Sequence, residues 1–267
     1  MAKKKRQYEG IDDEELELLN SKMYPQQSKP ESYKSTIAPM KIKLKCKNQR
    51  QKELHKAITE KEIVFCQGSA GTGKSYVAAA TALELLKSGA YSRIIICCPN
   101  VEASAMSVGL LPGNLDEKLQ PFLDAIEFTI QKILNESGNL GSREILNSLL
   151  RSDVIMEEAV SFLRGKTFDN SVIIIDEAEN LNKQETLLIL SRIGRNSKMV
   201  FLGDSRQTDR KDIKKSKEKC GLDHAIEVLQ GMDEVGFVEF TDEDIVRNPV
   251  ISKIIKRWSE TNAVEKP

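Results

Sequence analysis

The sequence predicts an α/β fold, a doubly wound and mostly parallel sheet flanked by helices. Three observations carry that prediction. Ile63-Val64-Phe65-Cys66, Ile94-Ile95-Ile96-Cys97-Cys98, Val172-Ile173-Ile174-Ile175 and Met199-Val200-Phe201-Leu202 are short runs that are apolar at every position, which suits strands covered on both faces. Helix-forming stretches separate them, and strand, helix, strand at this spacing implies a right-handed crossover between parallel strands. Several runs end in polar or acidic residues, as expected where the carboxyl ends of parallel strands open on a ligand crevice.

In chain order, residues 1–40 read as a polar leader expected to be poorly ordered, with an acidic helical piece around Asp12–Asn20 and breaks at Pro25, Pro30 and Pro39. Residues 41–267 read as a single domain. Residues 48–60 carry Leu54, Ala57 and Ile58 at the spacing of one buried helical stripe. The first strand, a glycine-rich loop and a helix over Tyr76–Lys87 follow, stopped by Ser88-Gly89. After the second strand and Pro99, Leu110-Leu111-Pro112-Gly113 is a turn and Leu115–Asn135 a long helix. A loop over Asn135–Ser142, a short helix over Arg143–Arg151 and a strand near Val154-Ile155-Met156 come next. Glu185–Arg192 reads as a helix, Phe237-Val238-Glu239-Phe240 as a last strand, and Asn248-Pro249 opens an amphipathic helix with Ile251, Ile254, Ile255 and Trp258.

Composition narrows the function classes. The 267 residues carry 40 basic and 40 acidic side chains, so bulk charge favours neither a nucleic acid nor a membrane. Basic residues nevertheless cluster: Lys3, Lys4, Lys5 and Arg6; then Lys41, Lys43, Lys45, Lys47, Arg50, Lys52 and Lys56; then Lys211, Lys214, Lys215, Lys217 and Lys219. A solvated face is the plain reading of each, a polyanion contact the functional one. The five cysteines include no C-x-x-C pair, and Cys66, Cys97 and Cys98 sit at the ends of apolar runs as small core residues. With no signal peptide and no apolar stretch near the ~20 residues of a membrane span, a reducing, cytoplasmic location is expected.

The chemistry is concentrated in two motifs. Gly68-Ser69-Ala70-Gly71-Thr72-Gly73-Lys74-Ser75 stands between a strand and a helix, the context that makes G-x-x-x-x-G-K-[ST] a phosphate-binding loop. Glycines let backbone N–H groups turn towards phosphate oxygens, and the helix adds its unpaired amides and positive end. Lys74 would reach the β- and γ-phosphates of ATP, and Ser75 would ligate Mg²⁺. Asp176-Glu177 ends the third apolar run, Val172-Ile173-Ile174-Ile175. Asp176 would hold the Mg²⁺ shell and Glu177 would orient or deprotonate the attacking water; such a pair alone is also common at surface turns.

Three further positions stay open on spacing. Gln51 could set its amide against an adenine edge or be a surface glutamine. Gln207, in Gly203-Asp204-Ser205-Arg206-Gln207-Thr208-Asp209, is favoured as a γ-phosphate sensor over an ordinary Gly-Asp turn. Arg247 could neutralise charge on the γ-phosphate or form a helix-end salt bridge.

Taken together, this order of motifs resembles the PhoH family of P-loop ATPases. The resemblance covers about residues 48–258. It adds Gln51-Lys52, Val101-Glu102-Ala103, Leu110–Leu115, Leu163-Arg164-Gly165-Lys166-Thr167, Asp176-Glu177-Ala178-Glu179-Asn180, Gly221-Leu222 and Val246-Arg247-Asn248-Pro249 to the loop itself. It implies a RecA-like core, hydrolysis of ATP, kinship with superfamily 1 helicases, RNA or single-stranded DNA as partner, and a ring-shaped homo-oligomer such as a hexamer. In that light Gln51 looks like the adenine-reading glutamine and Arg247 like an arginine finger. One core offers no second core to receive that arginine, so Arg247 would act across a subunit boundary. The chain departs from the family pattern at Cys98, usually arginine, at Glu179, usually glutamine, and over Ser104–Val108. No PIN nuclease domain is expected within residues 1–40. Two function classes follow: a nucleic-acid-dependent ATPase or translocase, and an ATP-driven assembly or switch protein that binds a protein partner without unwinding nucleic acid.

Overall fold

A computed structural model describes residues 34–99, 115–208 and 219–246, with 250 and 257. The leader up to residue 33, the segment around Leu110, the lysines at 211–217, Asp209, and the Arg247 motif with most of its helix lie outside the described residues.

The described strands form a six-stranded sheet in the order β3-β2-β4-β5-β1-β6. They are β1 (Ile63–Gln67), β2 (Arg93–Cys98), β3 (Ile155–Ala159), β4 (Ser171–Ile175), β5 (Lys198–Gly203) and β6 (Val235–Glu239). Every pairing is parallel. β5 lies between β1 and β4, so the glycine-loop strand and the acid strand are next-but-one neighbours. This parallel sheet with helices on both faces is the doubly wound arrangement predicted from the sequence. Ile175 pairs with Phe201, and Phe201 with Phe65. One residue further on, Asp176 comes level with Leu202 and Cys66, at the base of the glycine loop.

Two-residue periodicity assigns the apolar runs to two cores. Val64, Cys66, Ile94, Ile96, Val172, Ile174, Val200 and Leu202 face one side. That side is covered by α2 (Gln49–Glu60), α3 (Lys74–Lys87), α4 (Leu115–Glu136) and α5 (Ser142–Arg151). Phe65, Ile95, Cys97, Ile173, Ile175, Met199 and Phe201 face the other, under Val160 and Leu163, α6 (Lys183–Leu190) and α7 (Gly221–Leu229). Cys66 and Cys97 are fully buried, as expected of small core residues. Along α3, Val77, Ala78, Ala79, Ala80, Ala82, Leu83 and Leu86 are all buried. The small side chains let this helix lie close under the sheet and fix the loop at its start.

The helix ends follow local chemistry. Asn48 caps α2 by accepting from Gln51 N at 2.8 Å. Asn182 and Glu185 form a reciprocal capping box, so α6 begins at Lys183 rather than the expected Glu185 and ends at Leu190. Three differences stand out. β3 extends to Ala159, beyond the expected Met156, because Cys98 on β2 pairs with Ala159. α7 carries no helix expectation from the sequence. Residues assigned to the leader contribute to the core: Ile37, ending the single turn α1 (Lys34–Ile37), and Met40 are both buried. No helix among the described residues is long and apolar enough to cross a membrane.

Candidate functional site

The glycine loop leaves β1 at the carboxyl edge of the sheet. Gly68 has φ 142°, and a Cβ there would lie 2.5 Å from the Cβ and carbonyl oxygen of Phe240. Gly73 takes a left-handed conformation, φ 89°, and a Cβ on it would meet Gln51 Nε2 at 2.7 Å. Only glycine combines these dihedrals with these approaches. Gly73 starts α3 without a side-chain cap, which leaves the first-turn amides of the helix directed at the crevice.

The loop is held from several sides. Thr72 Oγ1 donates to Ser69 O at 2.9 Å, and Gly68 N donates to Gly203 O of β5 at 3.1 Å. Lys74 is buried and its ammonium donates to the carbonyls of Gly68 and Ser69, the latter at 3.0 Å. Residues 240–246 run against the loop as a strap. Phe240 N donates to Gln67 O at 2.8 Å and Val246 N to Gly71 O at 3.0 Å, while Ser69 Oγ donates to the Asp242 carboxylate.

Gln51 lies against the same loop. It is buried, its Nε2 donates to Thr72 O at 2.8 Å, and its Oε1 accepts from Lys47 N at 2.7 Å. Both ends of the amide are therefore engaged with the protein, and it contributes to the shape of the loop.

Across β5, Asp176 is brought to the loop's far side, near the Ser75 hydroxyl, which favours its charged form. Burial raises the Asp176 pKa, and the Glu177 charge adds to that rise. Glu177 adopts φ 55°, ψ 37°, an unusual conformation for a residue with a side chain and one that persists where surroundings impose it. The residue is exposed. A hydroxyl and a carboxylate, both hard oxygen donors, fit Mg²⁺, which is typically held by one or two carboxylates together with substrate phosphates. Among the described residues no group of three or more His, Cys, Asp or Glu would cage a metal by itself.

Two side chains beyond the expected set join the site. Glu179 is buried and its Oε2 has no hydrogen-bond partner. Burial, reinforced by the charge of Glu177, pushes its carboxyl up to about 8. Arg206 stands on the turn after β5. Its Nε and Nη2 grip the buried Asp204 at 3.0 and 3.3 Å, and Nη2 also reaches Ser69 Oγ at 2.5 Å. Gln207 is on the same turn and donates to Asp204 Oδ2 at 2.8 Å. The structure thus brings Lys74, Ser75, Asp176, Glu177 and Arg206 around one loop, with Gln51 beneath it and Gln207 at its margin. The sequence signal for Arg206 was its place beside Gln207 in a polar turn; that for Glu179 was its departure from the family's glutamine.

A PhoH-like protein from Bacillus subtilis (strain 168) is 34% identical over 219 residues, covering 82% of this chain and 65% of its own length. Protein PhoH of Escherichia coli (strain K12) is 32% identical over 216 residues, covering 80% and 57%. The chain therefore spans a little under two thirds of the length of these curated relatives. Among solved structures, the Sulfolobus solfataricus SWI2/SNF2 ATPase core in complex with dsDNA aligns over 78% of this chain and 47% of its own at 12% identity, with a TM-score of 0.44. The Pyrococcus furiosus Hef helicase domain aligns over 71% and 37% at 12% identity, with a TM-score of 0.42. The family model described as PhoH-like protein matches residues 43–259, a span that takes in the glycine loop, the acid pair and the strap, and the chain, with its P-loop ATPase fold, belongs to the PhoH-like family.

Proposed function

We propose that the protein is an Mg²⁺-dependent ATPase whose cycle is coupled to RNA or single-stranded DNA. The observation that carries the hydrolytic part is the meeting of Ser75 and Asp176 across β5, beside Lys74 and the uncapped start of α3. Backbone amides of the loop bind and orient the phosphate chain. Lys74 leaves the carbonyls of Gly68 and Ser69 for the β- and γ-phosphates and spreads the charge that develops there. Glu177, held in its left-handed turn, accepts the proton of the water that attacks the γ-phosphate in line. Ser75 and Asp176 would hold Mg²⁺, which supplies electrostatic stabilisation of the phosphoryl oxygens when bound. Gln207 would sense the γ-phosphate from the turn after β5. Gln51 supports the loop and, by resemblance, reads adenine. A homo-oligomer follows if Arg247 reaches ATP on a neighbouring subunit.

The nucleic-acid part is supported by the exposed lysines that precede α2. Measuring ATPase rate with and without single-stranded oligonucleotides tests it. Stimulation by the strand, abolished in Lys74→Ala, supports the whole reading. Hydrolysis without stimulation moves the reading to an ATP-driven switch with a protein partner. Absence of hydrolysis by the parent, or Lys74→Ala hydrolysing at the parent's rate, overturns the ATPase reading.

A further inference from the structure

The basic cluster at residues 41–56 divides into two parts of different character. On α2 two of the three basic residues are paired, Arg50 with Glu53 at 2.7 Å and Lys56 with Glu60 at 4.0 Å, as on an ordinary solvated helix face. Ahead of α2, residues 41–47 belong to no helix or strand, and their burial alternates. Lys41, Lys43, Lys45 and Lys47 are exposed, whereas Ile42, Leu44 and Cys46 are partly buried. Ile42 and Leu44 pack against the helical core. Alternation of this kind is that of an extended chain, so the backbone positions that carry the four lysines follow one another about 6–7 Å apart on the exposed side. None of the four makes an ion pair among the described residues.

The row is also fixed in place. Lys41 N donates to Asn139 Oδ1 at 2.8 Å, Asn139 Nδ2 returns a bond to Lys41 O at 2.7 Å, and Lys43 N donates to Ser137 Oγ at 2.9 Å. At its far end Lys47 N reaches Gln51, which holds Thr72 of the phosphate loop. Four aligned, unpaired cations on an anchored backbone are therefore two side-chain hydrogen bonds from the nucleotide site.

We propose that Lys41, Lys43, Lys45 and Lys47 form a track for the backbone of a single-stranded nucleic acid, one phosphate to each lysine. A straight file follows one flexible strand along its length, whereas a duplex backbone curves away from it. No aromatic side chain stands in the row to stack bases, so recognition is by phosphate and indifferent to sequence. The inference rests on the nucleic-acid part of the reading above and names where that partner lies.

The test uses the full chain, a labelled oligo(dT) strand and a duplex of equal length, with binding followed by fluorescence anisotropy over a salt series. Replacing all four lysines by glutamine should weaken strand binding at least tenfold and flatten the log–log salt slope by about 0.7 per lysine removed. The double variant Lys43→Gln/Lys45→Gln should lose about half of that slope change. The control Arg50→Gln/Lys56→Gln, with the same change in net charge, should lose much less. Thermal melting of each variant establishes that it is folded. Equal losses from the two double variants, or no loss from the quadruple one, overturn the track. Equally tight duplex binding with an equal loss overturns the single-strand assignment. A parent that binds no strand even at low salt overturns the nucleic-acid reading itself, a result distinguishable from failure of the track alone.

Discussion

The two sides of the phosphate site are built on opposite electrostatic terms. On the loop side polar groups are matched: Lys74 has its carbonyls, Thr72 its Ser69 oxygen, Gln51 both of its partners, and Ser69 a carboxylate. On the acid side, Asp176, Glu177 and Glu179 crowd together, and Asp176 and Glu179 both have raised pKa values. The first side is preorganised before any ligand arrives. The second holds negative charge at a cost that a cation would offset. A phosphate chain with its metal thus meets one region that already has its shape and another that improves on binding.

The comparison can be broken at four points. The largest effect is expected from Glu177→Gln, which should lower ATP hydrolysis by about 10²–10⁴-fold while nucleotide still binds, as read by single-turnover kinetics beside equilibrium titration. Comparable loss of binding would mean that this side shapes the cradle too. Next, Gly68→Ala places a methyl group 2.5 Å from Phe240 and should destabilise the fold by about 1–3 kcal/mol in denaturant titration. An unchanged midpoint would show that the loop side is slack. Third, Arg206→Ala should weaken a non-hydrolysable ATP analogue about tenfold, the scale of one charge-assisted hydrogen bond, with ADP affected far less. Parallel losses would make Arg206 a support of the loop rather than a contact for the terminal phosphate.

The smallest effect separates the two sides by pH. Between its ordinary 4.5 and about 8, folded Glu179 keeps a proton that the unfolded chain releases. Native stability therefore falls as pH rises through that window and levels off above it. Glutamine carries no such penalty. Glu179→Gln should melt higher than the parent without nucleotide or Mg²⁺, by about 2–4 °C for each kcal/mol gained. The gain should be complete above pH 8 and vanish towards pH 4.5. A gain independent of pH would assign it to packing instead.

What could be read from the sequence was what neighbours in the chain decide. The glycine loop, the apolar strand before it and the acid pair each fit within a few residues, and all three were legible. Asn182 with Glu185 could have moved the start of α6 by the same local logic. The contacts that finish the site are long-range. Arg206 meets Ser69 from 137 residues away and Asp242 meets it from 173, distances over which no spacing rule operates. Ile37 and Met40 were assigned to the leader because Pro30, Pro39 and the lysines nearby dominate composition there, yet both are buried in the core. The lysines before α2 were visible as charge, but their pairing pattern was not, because it depends on which side of the backbone the core takes up.

The strap has a mechanical corollary. Val246 is bonded to Gly71, Asp242 to Ser69 and Phe240 to Gln67, so the polypeptide entering the Arg247 motif is stitched to the cradle like a hem. Tension on the chain beyond Val246 is delivered to Gly71 first, and a nucleotide that stiffens the cradle resists that pull in equal measure.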